Sequence, residues 1–293
     1  MKRLGLIILL FALAYGCASK EEKKVSSSFI TDDLGNKIEI AQKPMRIISL
    51  APNITEMIFK LGCGDRLIGN TTYCTYPEEA KKITKVGDLL SIDYEKILSL
   101  KPDLIFVSVE GNKKEFYDRM IKLGIKVFVS NPRNFEGIKK TYRDVSIVLG
   151  KEKEAQAETE EWDKEIIAAA GRGKGVAGKK VLYLIEIKPI MAAGVSTFLN
   201  EYIRLLDMKN VTEGVSVNYP VLNREDLIRL NPDIIIYPDD GNTTLASFKT
   251  SYPEWKNISA IKNEKIIFAD RDLYFRPGPR FIDALKELQL KLQ

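Results

Sequence analysis

From Arg46 onward the chain alternates short continuous apolar runs with longer segments in which apolar and charged residues interleave. RIISL (46–50) reads as a buried strand, and PNITEMIFKLG after it as a helix that Gly62 can end. RLIGNTT (66–72), LIFVSV (104–109) and KVFVS (126–130) read as further strands, separated by the helices DYEKILSL and NKKEFYDRMIKLG. A second series begins at KKVLYLIEI (179–187), passes through the helix TFLNEYIRLLD, and closes with the strand KIIFAD (265–270) and a helix from about Pro279. Short β-branched or aromatic runs between helices, each bounded by Gly or Pro, predict mainly parallel sheets built from βα units. Ahead of the first series, FITDDLGNKIEI sets a turn cluster, Asp33 to Asn36, between two β-like runs and predicts a small hairpin.

Between the two series, Ile138, Tyr142, Val145 and Leu149 form a helical apolar stripe, and beyond Gly150 a Glu/Lys/Ala-rich run keeps Trp162, Ile166 and Ala170 on one face. A helix of about twenty residues spans roughly 30 Å. The expected organisation is therefore an N-terminal α/β lobe (29–150), an interlobe helix (151–178) acting as a stiff strut, and a C-terminal α/β lobe (179–293). Lobes joined in this way are expected to move only slightly against each other.

The stretch YEKILSLKPDLIFV, Tyr94 to Val107, returns as REDLIRLNPDIIIY, Arg224 to Tyr237, displaced by 130 positions throughout. Glu95/Glu225, Leu100/Leu230, Pro102/Pro232, Asp103/Asp233 and Ile105/Ile235 are identical, and three further positions exchange Ile for Leu. Each copy reads as an acidic helix start, a residue kept out of αR by the proline after it, and a Pro-Asp turn into a buried strand. That is a common α/β corner. One copy per lobe also places Glu95 and Glu225 in the exposed first helical turn at equivalent points, which suits a two-lobed device.

The chain opens MKRLGLIILLFALAYGC, two basic residues and an apolar run from Leu4 to Tyr15. Twelve apolar residues rise about 18 Å as a helix, short of a bilayer core of roughly 30 Å, so residues 1–16 read as a signal peptide. ASKEEKKVSSS, up to Ser28, reads as a flexible tether. Without Lys2 and Arg3 the formal charge falls from +5 to +3, too little for a nucleic-acid footprint. About seven strand residues at roughly 3.3 Å each hold Cys63 and Cys74 some 20 Å apart, beyond the reach of a disulfide, so both are expected free and at least partly buried. The chain has no histidine, which disfavours a bare transition-metal site and removes the usual general base. No G-x-S-x-G elbow or phosphate-cradling G-x-x-x-x-G-K-[ST] loop is present, so an enzyme is not expected; a secreted Ser–Lys hydrolase is the distant alternative.

RIISLAPNITEMIFKLG, TTYCTYPEEAKKITKVG, DYEKILSLKPDLI, EGNKKE, KLGIKVFV and RPGPRFIDAL together resemble successive blocks of the Fe/B12 periplasmic-binding family of ABC importers, its cobalamin-binding branch in particular. The resemblance runs from about Arg46 to Leu292 and implies two Rossmann-like lobes with a ligand cleft between them. Cys17 behind Gly16 similarly resembles a bacterial lipoprotein box, although Ala14 stands where Leu is usual, and implies a lipidated, membrane-tethered protein; a monomer is expected. In that family one glutamate at the tip of each lobe docks on arginines of the permease dimer, which its ATPase subunits drive; Glu95 and Glu225 fall on those positions. Ligands of open α/β sheets bind beyond the strands' carboxyl ends, which marks Tyr73, Tyr76, Leu89, Asn112, Met191, Tyr219, Asp272 and Arg276 as cleft residues. Tyr73 and Tyr219 match positions at which cobalamin binders set aromatic rings on the corrin, whereas Leu89 replaces a tryptophan. The implied ligand is cobalamin or a related corrinoid, with no resident cofactor or metal. A ferric siderophore held by arginines such as Arg133, or haem held by Tyr73 or Tyr76, is the alternative.

Overall fold

The structure, a computed structural model, describes residues 28–88, 91–170 and 175–293. The expected signal peptide, Cys17 and Leu89 lie outside the described residues, and no described helix is long and apolar enough to cross a membrane. The hairpin forms from β1 (Ser28–Thr31) and β2 (Lys37–Ile40). The Asp32 carboxylate closes its turn by accepting the amides of Leu34 and Asn36, and it also accepts the Val129 amide, which seats the hairpin on the first lobe.

That lobe runs through β3 (Ile47–Ser49), α1 (Pro52–Lys60), β4 (Leu67–Asn70), α2 (Tyr94–Ser99), β5 (Leu104–Ser108), α3 (Lys114–Lys122) and β6 (Lys126–Ser130). Its four strands are all parallel, in the order β4-β3-β5-β6. β4 stops before the predicted Thr72, because the chain turns at Thr71, whose hydroxyl lies 3.3 Å from Cys74 Sγ. Cys63 and Cys74 are both free and buried.

Next come α4 (Phe135–Leu149) and α5 (Glu152–Ala170), parted by Gly150 at φ 68°, a left-handed position that suits glycine. The second lobe holds β7 (Lys180–Ile187), β8 (Ile190–Ala192), α6 (Leu199–Leu205), β9 (Lys209–Asn210), β10 (Val221–Leu222), α7 (Arg224–Leu230), β11 (Ile234–Asp239), α8 (Leu245–Ser251), α9 (Ser259–Lys262), β12 (Ile266–Asp270), α10 (Arg271–Tyr274) and α11 (Phe281–Leu292). β7 pairs in parallel with β9 and with β11, and β11 with β12. The path β9-β7-β11-β12 therefore repeats β4-β3-β5-β6. Antiparallel β8 and β10 are added at one edge; two- and three-residue strands are too short to show a period in sequence.

The repeated stretch forms the same corner twice. Lys101 (φ 49°) and Asn231 (φ 43°) both leave αR for the left-handed region, ending α2 and α7 ahead of their prolines. Asp103 then accepts the Arg46 amide and Asp233 the Lys180 amide, each at 2.9 Å, tying β5 to β3 and β11 to β7. The basic side chains of those same partners reach back, Arg46 Nη2 to the Leu100 carbonyl at 2.6 Å and Lys180 Nζ to the Leu230 carbonyl at 2.9 Å. Asp103→Ala and Asp233→Ala should each lower stability by about 1 kcal/mol, the scale of a net hydrogen bond. Unequal losses in urea denaturation would show that the two corners are not equivalent.

Residues of both lobes belong to one apolar cluster. Phe281 of α11 stacks on Tyr202 of α6 at 4.3 Å and lies 5.7 Å from Phe135 of α4, while Trp162 of α5 packs on Tyr142 at 4.8 Å and Phe135 at 6.4 Å. Lys286 of α11 pairs with Glu165 of α5 at 3.1 Å. The interlobe helix thus lies along α4 and α11 instead of standing alone, and the lobes share a close-packed, poorly compressible interior.

Candidate functional site

The carboxyl ends of β3, β4, β5 and β12 converge on a cavity of about 440 Å³ between the lobes. Leu50, Ala51 and Pro52 follow β3, Tyr73 follows β4, Ser108, Glu110 and Gly111 close β5, and Arg271, Asp272, Phe275 and Arg276 follow β12. An apolar and aromatic wall with a few charged groups at its rim is the usual make-up of a small-molecule site. Tyr73 is 48% exposed and lines this space.

One side of the cavity is closed by a buried ionic cluster. Glu56 sits in α1, the whole central part of which is buried, and its side chain is 2% exposed. It accepts from Arg276 Nη1 at 3.1 Å and from Arg280 at 2.7 and 2.9 Å, so a first-lobe carboxylate holds two second-lobe guanidinium groups. Arg276 also donates to the Tyr73 carbonyl at 2.8 Å, to Thr75 Oγ1 at 3.0 Å and to Asp272. Arg280 lies over the Tyr76 ring at 4.0 Å; burial opposes its charge, and Glu56 more than offsets that, holding its pKa above the ordinary value. At the opposite rim the Tyr219 hydroxyl donates to Glu110 Oε1 at 2.8 Å, and Arg133 pairs with the same carboxylate. Burial, then the Glu110 charge, pushes the Tyr219 phenol well up, so it stays a neutral donor.

Of the residues marked from sequence, Tyr73, Asp272 and Arg276 line this cavity, and Tyr219 reaches its rim through Glu110. Arg276 is buried and committed to protein partners, so it shapes the floor by holding Tyr73 and Asp272. Tyr76 lines a second hollow with Glu56, Pro77 and Arg280. Asn112 faces a third, between α3 and the hairpin turn, where its Oδ1 accepts the Ser108 amide at 2.9 Å. Met191 lies in β8 opposite Val221 and lines none of these spaces. Glu56 escaped sequence reasoning, although an acid inside the apolar run ITEMIF, with two arginines waiting in RPGPR, was a legible signal.

Glu95 and Glu225 occupy the second position of α2 and α7, and both are exposed. Asp93 caps α2 by accepting the Lys96 amide at 2.9 Å, and Asn223 with Asp226 forms a reciprocal capping box on α7. Neither glutamate is therefore needed as a cap, and neither carboxylate has a partner among the described residues.

Comparison with known proteins agrees with this architecture. An uncharacterized ABC transporter substrate-binding lipoprotein of Bacillus subtilis (strain 168) is 29% identical, covering 98% of this chain and 96% of its own. A vitamin B12-binding protein of Pectobacterium carotovorum subsp. carotovorum (strain PC1) is 28% identical over 84% of this chain and 87% of its own. Among solved structures, the periplasmic heme-binding protein of Roseiflexus sp. RS-1 in apo form superposes with a TM-score of 0.75 at 25% identity, covering 84% of this chain and 97% of that one. With a parallel sheet and a mixed sheet meeting at a shared cleft and a family profile matched from residue 47 to 273, the chain belongs to the periplasmic binding protein family, a family of binding proteins and not of enzymes.

Proposed function

We propose that the chain is the extracytoplasmic receptor of an ABC importer, tethered through lipidated Cys17 once residues 1–16 are removed, and that it delivers a corrinoid such as cobalamin to a permease dimer. The cleft carries this reading: an apolar wall with the half-exposed Tyr73 ring, and a rim of Glu110, Tyr219, Arg271 and Asp272 drawn from both lobes. A corrin has two apolar faces and an amide-bearing edge, so ring faces pack on Tyr73 and edge amides meet the rim carboxylates and hydroxyls. The relatives in Bacillus and Pectobacterium support the transport role and the ligand class in turn. Haem is the second reading, favoured by the exposed phenol of Tyr73 as an axial oxygen and by the likeness to the Roseiflexus heme-binding protein. Tyr76, Asn112 and Met191 are assigned no ligand contact.

Calorimetric titration of the purified protein with cyanocobalamin, haemin and a ferric siderophore separates these readings. Cyanocobalamin is expected to bind one to one without turnover, and Tyr73→Ala to weaken it about tenfold, the loss of one well-packed ring. Stoichiometric binding of haemin with a phenolate-type spectrum selects the second reading, and silence with all three ligands overturns both.

A further inference from the structure

The duplicated corner carries one feature that neither folding nor the glutamates explain. In each copy of the fourteen-residue stretch a single large aliphatic is exposed, and it is the same position: Leu98 at 38% and Ile228 at 46%. The core-facing residues of the two helices are their neighbours Ile97 and Leu227, both fully buried. Leu98 and Ile228 stand three residues after Glu95 and Glu225, which on an α-helix puts each aliphatic beside its glutamate on one face. Other residues of each corner have internal roles: Asp103 and Asp233 tie strands together, and position 94/224 is held by cation–π contacts, Tyr94 under Arg119 at 4.2 Å and Arg224 over Tyr252 at 5.0 Å. What each lobe leaves free is an unpartnered carboxylate next to an unpartnered aliphatic side chain, twice, on topologically equivalent helices.

We infer that Leu98 and Ile228 are docking residues, and that each lobe engages the permease dimer with a two-part tip in which the glutamate meets a cationic group and the aliphatic enters an apolar hollow beside it. This rests on the importer reading above and adds a partner chemistry to it. Two like tips on equivalent helices fit a partner that offers one kind of site twice, as a two-fold dimer does. A carboxylate alone steers the encounter and is screened by salt, whereas a buried aliphatic slows dissociation and is not.

The test measures binding of the full chain to its own permease–ATPase complex in lipid nanodiscs at low and high salt. Leu98→Ser with Ile228→Ser should weaken binding about a hundredfold, roughly tenfold per buried aliphatic. That loss should be the same at both salt concentrations, with ligand affinity and thermal midpoint unchanged because both positions are exposed. Glu95→Gln with Glu225→Gln should instead lose affinity mainly at low salt. If the serine pair binds within twofold of the unaltered chain while the glutamine pair does not, the aliphatic half of the tip is overturned and the importer reading stands. If the unaltered chain does not bind the complex at all, both are overturned. Leu98→Met with Ile228→Met should restore most of the affinity; failure of that rescue alongside a lowered thermal midpoint would assign both residues a structural role and overturn the inference.

Discussion

Cells that depend on a Glu95→Ala, Glu225→Ala variant should import the ligand at least about a hundredfold more slowly, while the purified variant binds that ligand with unaltered affinity. The size follows from losing two charge-assisted contacts, each worth roughly 2 kcal/mol or more where an interfacial charge pair is truncated. The separation of effects follows from position. Both carboxylates are exposed at the starts of α2 and α7, neither lines the central cavity, and neither holds a partner among the described residues. Their helices keep the caps supplied by Asp93 and Asn223, so the variant should fold normally. Uptake of radiolabelled cyanocobalamin by cells, set beside calorimetry on the purified variant, checks both halves. Undiminished uptake would sink the docking role of these residues, and weakened ligand binding would mean that they act on the cleft.

The largest effect on stability is expected at Glu56. Glu56→Ala strands two guanidinium groups in an environment where Arg276 is only 10% exposed and Arg280 18%. Breaking a buried pair by deleting one partner costs about 3–5 kcal/mol, since the remaining charge is left desolvated and unpaired. Glu56→Gln keeps one of the two acceptor oxygens, at the expense of an amide donor facing a guanidinium group, and should cost less than alanine. Because one apolar cluster runs through both lobes, unfolding of the alanine variant should remain a single transition at a lower denaturant concentration. A loss below about 1 kcal/mol would place the cluster in the class of solvated surface pairs. The cleft should respond as well, because Arg276 holds the Tyr73 carbonyl and Asp272, so the same variant is expected to lose ligand affinity although Glu56 lies outside the main cavity.

How far the chain could be read before folding differs from residue to residue. The strands at Arg46, Leu104, Lys126 and Lys265, the hairpin around Asp33 and the helix starts at Asp93 and Arg224 were legible, because apolar period and turn chemistry act within a few positions of each other. So was the pair of exposed glutamates, since the repeat states their equivalence outright. The strut was legible as a helix but not in its setting along α4 and α11, and β8 to β10 were too short to register.

The amino-acid order alone thus pointed to two α/β halves, a helical join, a duplicated corner with one exposed acid in each half, and a band of strand-end residues from which a cleft could be drawn. Folding decided the rest. It brought Glu56 to Arg276 and Arg280 across more than two hundred residues, set Tyr219 on Glu110, gave Tyr73 and Asp272 to the central cavity, and sent Tyr76 and Asn112 to other hollows. The difference has one cause: backbone preference and periodicity are properties of neighbours along the chain, whereas desolvation and pairing of a side chain depend on which distant groups the packed lobes press against it.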